Sequence, residues 1–236
     1  MVRVRFPPGA FKYHILDTDS MKETILFLCA HNDDQIIGGG GTFAKYAKEG
    51  KKLKTVIFSY GEMSHPHLKR KIVVDMRRKE AEKSDKILGG NGLLFLGLSE
   101  GKFKKEIFAK GVHDQLTEYI KTENPSKIFT HSHDDPHPDH NAVHKLVTML
   151  LKEKIITCPV YTFDVWNPFT IRKRNVPKLV VDVTDTFALK LKAYDAHESQ
   201  VNLPLMLPMR LRMHFYARMA GWANNSKYAE VFHKLA

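Results

Sequence analysis

The stretch Thr24-Ile25-Leu26-Phe27-Leu28-Cys29-Ala30-His31-Asn32-Asp33-Asp34, followed closely by Gly38-Gly39-Gly40-Gly41-Thr42, decides how the rest of the chain is read. Residues 24–30 are short, nearly all apolar and bounded by polar residues. That is the pattern of a strand buried on both faces, as in a parallel sheet. Such a strand should not run into three ionisable residues unless they are used. In open α/β sheets ligands collect beyond the carboxyl ends of the strands, where His31, Asp33 and Asp34 would stand. One imidazole and two carboxylates at this spacing can bind a divalent metal and leave one carboxylate free as a base.

Working outward, the four glycines are expected to make a tight turn, with a helix from Thr42 to Lys52 ending near Gly50. Their spacing is not the G-x-G-x-x-G of dinucleotide sites. Residues 53–59 read as a second strand, and a strand–helix–strand unit implies a right-handed parallel crossover, so the fold begins as α/β. Helices are expected over 73–88, 106–121 and 187–197, and further strands over 93–96, 127–130, 158–165 and 178–183. Residues 1–23, with Pro7-Pro8-Gly9, read as an irregular lead-in with room for a short edge strand. The loop 60–71 is long enough to reach over a strand-end site, and its His65 and His67 read as exposed. Arg77 and Glu80, three apart in the second helix, read as a surface ion pair worth a few tenths of a kcal/mol.

The strand 127–130 runs directly into His131-Ser132-His133-Asp134-Asp135-Pro136-His137-Pro138-Asp139-His140. The two prolines stiffen this loop, which suits groups that must hold position around an ion. His140 falls near the start of a helix over 141–152, where the imidazole stays neutral more easily, as a metal ligand must. Both clusters follow parallel strands, so the fold can bring them to one edge of the sheet although they lie far apart in the chain. Two histidines, one carboxylate and a water make a common catalytic zinc arrangement. The spare carboxylate would serve as base, and a neighbouring histidine as oxyanion partner and proton donor.

The chain has 236 residues, 43% hydrophobic and 27% charged, enough for one large domain with a core. The core is expected over about 22–200, with a C-terminal extension over 201–236. Cys29 and Cys158 lie in apolar runs and read as buried thiols in a reducing compartment. No stretch is long and apolar enough for a membrane span, and the first residues lack a signal-peptide core, so a cytoplasmic location is expected. The formal net charge of +11 is spread along the chain without a nucleic-acid motif, and a solvated surface is favoured over nucleic-acid binding. The Met, aromatic and basic residues of 203–222 are read as core packing in preference to a membrane contact.

These residues carry a family resemblance. His31-Asn32-Asp33-Asp34 with Gly40-Gly41-Thr42 resembles the A-H-P-D-D signature of the PIG-L/LmbE-like zinc deacetylases, and Pro136-His137-Pro138-Asp139-His140 is similar to their H-P-D-H signature. Arg77-x-x-Glu80-Ala81 resembles the family's R-x-x-E-A helix, and Lys192 through His197 to Ser199-Gln200 its K…H-x-S-Q segment. The resemblance spans roughly residues 25–200 and implies a Rossmann-like three-layer α/β sandwich with a mostly parallel sheet. It implies hydrolysis of an N-acetyl group on an N-acetylglucosamine unit carried on a larger molecule. It further implies that His31, Asp34 and His140 hold Zn²⁺, with Fe²⁺ able to use the same ligands, and that Asp33 is the general base. His137 would polarise the carbonyl or donate to the leaving amine, with Asp139 orienting it. Arg77 would reach sugar hydroxyls or an attached phosphate, and His197 would line the pocket. Family members often assemble into homo-oligomers. Asn32 and Gln35 depart from the pattern, which has proline and often an acidic residue there.

Overall fold

The computed structural model describes residues 22–167, 176–201 and 207–235. The chain runs β1 (Thr24–Cys29), α1 (Asp34–Lys48), β2 (Lys52–Ser59), α2 (Arg70–Leu88), β3 (Leu93–Leu98), α3 (Phe103–Ala109), α4 (Val112–Glu123), β4 (Lys127–His131) and α5 (Pro138–Lys152). It continues with β5 (Val160–Phe163), β6 (Lys178–Asp182), α6 (Phe187–Asp195), α7 (Glu198–Val201), α8 (Leu207–Trp222) and β7 (Ala229–Lys234). The strands form one sheet in the order β3-β2-β1-β4-β5-β7-β6. β1 pairs in parallel with both β2 and β4, and β4 in parallel with β5, while β7 is antiparallel to both of its neighbours.

β1 is buried along its whole length because alternate residues supply two cores. Ile25, Phe27 and Cys29 pack with α1, α6 and α8 on one face. Leu26 and Leu28, with Ala30 just beyond the strand, pack with α3, α4 and α5 on the other. The result is three layers with helices on both sides of a mostly parallel sheet. The order reverses at β1, between β2 on one side and β4 on the other. At such a switch point the loops beyond the strand ends diverge and leave a crevice.

The structure corrects several expectations. The glycines do not form a turn: α1 begins at Asp34 and runs through them. Their purpose is close approach. A Cβ on Gly38 would stand 2.2 Å from the Phe163 ring, and one on Gly41 2.8 Å from Val183 Cβ. The helix is interrupted at Gly39 (φ −156°, ψ 24°). Beyond the break Glu230 of β7 accepts from Gly41 N (3.1 Å) and Thr42 N (2.7 Å). Lys190 of α6 donates to Ile37 O (2.9 Å) and to Glu230 Oε1 (2.6 Å). A buried ion pair thus satisfies the backbone groups around the break.

The single helix expected over 106–121 is two, α3 and α4, separated at Lys110-Gly111. The extension supplies α8 and also β7, whose Phe232 lies in the core, so the sheet is incomplete without it. Cys158 is only half-buried; both cysteines are free. The lead-in lies, for residues 1–21, outside the described residues.

Candidate active site

Beyond β1 the chain turns through His31-Asn32-Asp33 into α1, where Asp33 O accepts from Ile36 N and Ile37 N at 3.0 and 3.1 Å. Asp34 therefore sits in the first turn, where a helix favours negative charge. Its Oδ2 also accepts from His31 N at 2.7 Å, tying the turn together. Beyond β4, Pro138 opens α5, with its ring fixed at a position suited to it, and Asp139 and His140 follow in the first turn. The two helix starts face each other across the switch point.

There the structure brings His31, Asp34 and His140 together. His31 Nδ1 lies 3.2 Å from His140 Nε2 and 3.5 Å from Asp34 Oδ2, and His140 Nε2 lies 3.4 Å from Asp34 Oδ1. The two Asp34 distances run to different carboxylate oxygens, and each separation is close to the roughly 3.4 Å between ligand atoms at zinc bond lengths of about 2.0–2.1 Å and tetrahedral angles, so the three side chains suit a divalent ion of that kind. The outer ring nitrogens fit as well. His140 Nδ1 is 3.0 Å from Asp135 Oδ1, and His31 Nε2 is 3.6 Å from Asp139 Oδ2 and 3.7 Å from Glu100 Oε1. At this geometry His140 Nδ1 makes no hydrogen bond and the His31 distances are too long for one, so the carboxylates stand near the outer nitrogens, where such groups orient metal-ligating histidines, without bonding them. Fully buried His131 stands close to Asp34, with Nε2 3.2 Å from Asp34 Oδ2, and that nitrogen's lone pair accepts from Ala30 N (3.0 Å). Asp34, His131 and His140, and likewise His31, His137 and His140, each offer three donor atoms within 4.8 Å of one another.

The electrostatics match a site with surplus negative charge. Burial lowers the His31 pKa, but Asp139, Asp34 and Glu100 outweigh it and push it up to about 10. Burial and the neighbouring His140 bring His131 down to about 4. Burial raises the Glu100 carboxyl. His137 is lowered by burial and by the charges of His31 and His140. Its Nδ1 accepts from Asp139 N at 3.2 Å, so the neutral ring carries its proton on Nε2.

A cavity of about 430 Å³ opens over these groups, lined among others by His31, Asp33, Asp34, Arg77, Glu100, His137, Asp139 and Trp166. Arg77 is not in a surface pair. It is 2% exposed, with Nη2 3.6 Å from Asp33 Oδ2 and Nη1 3.7 Å from Glu80 Oε2. Asn32 explains its own departure from the family pattern. Its side chain accepts from Arg77 Nη2 and donates to the Arg77 main-chain carbonyl (2.9 Å), tying the guanidinium and the backbone of that residue to the β1–α1 turn. Gly61 (φ +73°) makes room, since a Cβ there would stand 2.8 Å from Arg77 Nε.

Asp139 meets His137 through its main-chain N–H, which donates to His137 Nδ1, while its carboxylate accepts from Gly101 N (2.8 Å) and faces His31. One further expectation is revised. His197 is fully buried behind α2, 3.0 Å from Ser84 Oγ, and among the described residues it is not part of the cavity lining. Sequence reasoning assigned no role to Glu100, Asp135 or His131. The last two stood inside the cluster already noticed. Glu100 had one available signal, its position just after the end of a neighbouring parallel strand.

Fold and site together define an α/β protein with a candidate divalent-metal centre at the switch point of its sheet. The chain belongs to the PIG-L family: the family model described as GlcNAc-PI de-N-acetylase matches residues 26–151. It is 26% identical over 196 residues to a probable N-acetyl-alpha-D-glucosaminyl L-malate deacetylase 2 of Bacillus cereus, covering 78% of this chain and 87% of that one. It is 24% identical to a 4-oxalmesaconate hydratase of Pseudomonas putida, over 77% of this chain and 76% of that one. Among solved structures, N,N'-diacetylchitobiose deacetylase from Pyrococcus horikoshii superposes with a TM-score of 0.74 at 22% identity, covering 94% of this chain and 87% of that one.

Proposed function

We propose that the protein is a zinc-dependent hydrolase that removes the N-acetyl group from an N-acetylglucosamine-type amino sugar carried on a larger molecule. The observation that carries this reading is the close approach of His31, Asp34 and the buried His140, with His31, Asp34, Asp33 and His137 lining one cavity. The deacetylase named for the Bacillus relative supports the substrate class. His31, Asp34 and His140 would hold zinc, which when bound would supply Lewis acidity to the acetyl carbonyl and to the attacking water. Asp33, fixed beside Arg77, takes the proton that the water loses as it attacks the carbonyl carbon. His137 would donate its Nε2–H to the developing oxyanion, and Asp33 would return the proton taken from the water to the nitrogen as the C–N bond breaks, releasing acetate and a free amine. Arg77 reaches the sugar hydroxyls or an attached phosphate, and the 430 Å³ cavity leaves room for part of the larger carrier. The whole chain acts as one domain, since β7 completes the sheet. We place it in the cytoplasm on its two free thiols.

The test is release of primary amine from a panel of N-acetylglucosamine compounds, from the free sugar to disaccharides and lipid-linked forms, with and without chelator. Chelator-sensitive release from any member is expected. Silence across the panel, with one metal bound per chain, refutes the substrate class. Hydration of an unsaturated acid, the activity named for the Pseudomonas relative, releases no amine and would be seen instead as loss of the substrate's ultraviolet absorbance.

A further inference from the structure

α8 is apolar on two opposite sides. Met209, Met213 and Ala217 are buried against the sheet. On the other side Leu211 (75% exposed), Phe215 (60%), Met219 (45%) and Trp222 (77%) share one stripe, at spacings of about one and two helical turns. Among the described residues nothing covers this stripe. Contiguous exposed apolar side chains of this size mark an interaction surface. Their charged surroundings narrow the partner. Arg212 and Arg218 flank the stripe and Lys227 follows it, while Arg210 turns to Asp195, and no Asp or Glu occurs between Glu198 and Glu230.

We propose that α8 lies on a lipid bilayer with anionic headgroups, its stripe entering the boundary between headgroups and acyl chains. An apolar helix face bordered by arginines, with tryptophan at its end, is the composition of an interfacial helix. The +11 charge of the chain adds long-range attraction. A second copy of the chain is disfavoured as the occupant. Two such faces packed together would oppose arginines with no acidic residue on the helix to pair with them. The helix is anchored for this purpose: Arg210 pairs with Asp195, and Arg212 donates to Asn167 O at 2.9 Å. Asn167 follows Trp166 of the cavity wall, so Arg212 ties α8 to the segment that borders the cavity. The docked protein would hold its cavity close to the membrane surface.

The test is flotation of the intact protein with vesicles of phosphatidylcholine alone and of phosphatidylcholine mixed equally with phosphatidylglycerol. Binding to the mixed vesicles only is expected. Phe215→Ser combined with Trp222→Ser should weaken it by about tenfold or more, and Arg218→Glu by several-fold, with unchanged melting temperatures. Brominated lipid should quench the wild type more than Trp222→Phe. Chelator that stops amine release should leave flotation intact, which separates this surface from the chemistry of the site. The proposal is overturned by an absence of flotation at low salt, or by flotation that the double serine variant does not change. It is equally overturned by an oligomer that the double variant dissolves in the absence of vesicle binding, which would assign the stripe to a second copy. Acrylamide failing to quench Trp222 in the monomer would show that a segment outside the described residues covers the stripe.

Discussion

Replacing Glu230 by Ala tests the reasoning about α1 most directly. Glu230 is 6% exposed and Lys190 3%, and their 2.6 Å contact joins β7 to α6 across the break at Gly39. The truncation leaves a buried ammonium with only Ile37 O as partner. It also removes the acceptor of Gly41 N and Thr42 N. Removing one member of a buried pair costs about 3–5 kcal/mol, out of a total stability of about 5–15 kcal/mol. For a chain of this size that corresponds to a fall of about 10 °C or more in Tm. The loss should be specific to the stranded charge. Lys190→Met combined with Glu230→Gln buries no ion but keeps an acceptor for only one of the two N–H groups, so it should recover most of the loss without reaching wild type. Urea unfolding followed by circular dichroism measures both. A loss below about 1 kcal/mol in Glu230→Ala, or a double variant as unstable as the single one, would refute the role given to the pair.

Asp33→Asn should abolish amine release while one metal per chain remains bound by mass spectrometry; loss of the metal would remove Asp33 from the role of base. Asp135→Asn should weaken metal affinity by about 10–100-fold through His140, measured by competition with a chelating dye, and an unchanged affinity would refute the outer-shell reading. His197 is held well below the usual pKa by burial and by the Arg77 cation. The unfolded chain takes up this proton below about pH 6.5 and the folded one does not, so acidification removes stability by up to about 1.4 kcal/mol per pH unit from this group. His197→Asn should flatten the fall in urea-derived stability between pH 7 and pH 5, and equal slopes in the two proteins would refute that contribution.

The position of the site was legible because β1 and β4 are apolar runs that end abruptly in ionisable residues, a pattern in which each strand announces its own end. What resisted reading depends on partners distant in the chain. The glycines of α1 read as a turn because backbone freedom is a local property. Their use is to admit Phe163 and Val183, which come from other elements. Arg77 and Glu80 read as a surface pair because helical spacing does not reveal that Asn32 and Gly61 close over the guanidinium. His197 sits in a motif-like segment but turns toward Ser84, and only packing could show that. α8 defeats the amphipathic rule because apolar residues face both the core and the outside.

β7 follows every other strand in the chain, yet it lies between β5 and β6. This order constrains assembly in time. While residues 229–234 are still missing from a growing chain, β6 lacks the strand beside which it lies, and the break in α1 lacks Glu230. The parallel block β3-β2-β1-β4-β5 can form before then, and the Glu230 contacts with Gly41 N and Thr42 N, 189 and 188 residues apart in the chain, are of the widely separated kind that is slowest to make. Maturation of the helix that presents Asp34 therefore waits on the last strand.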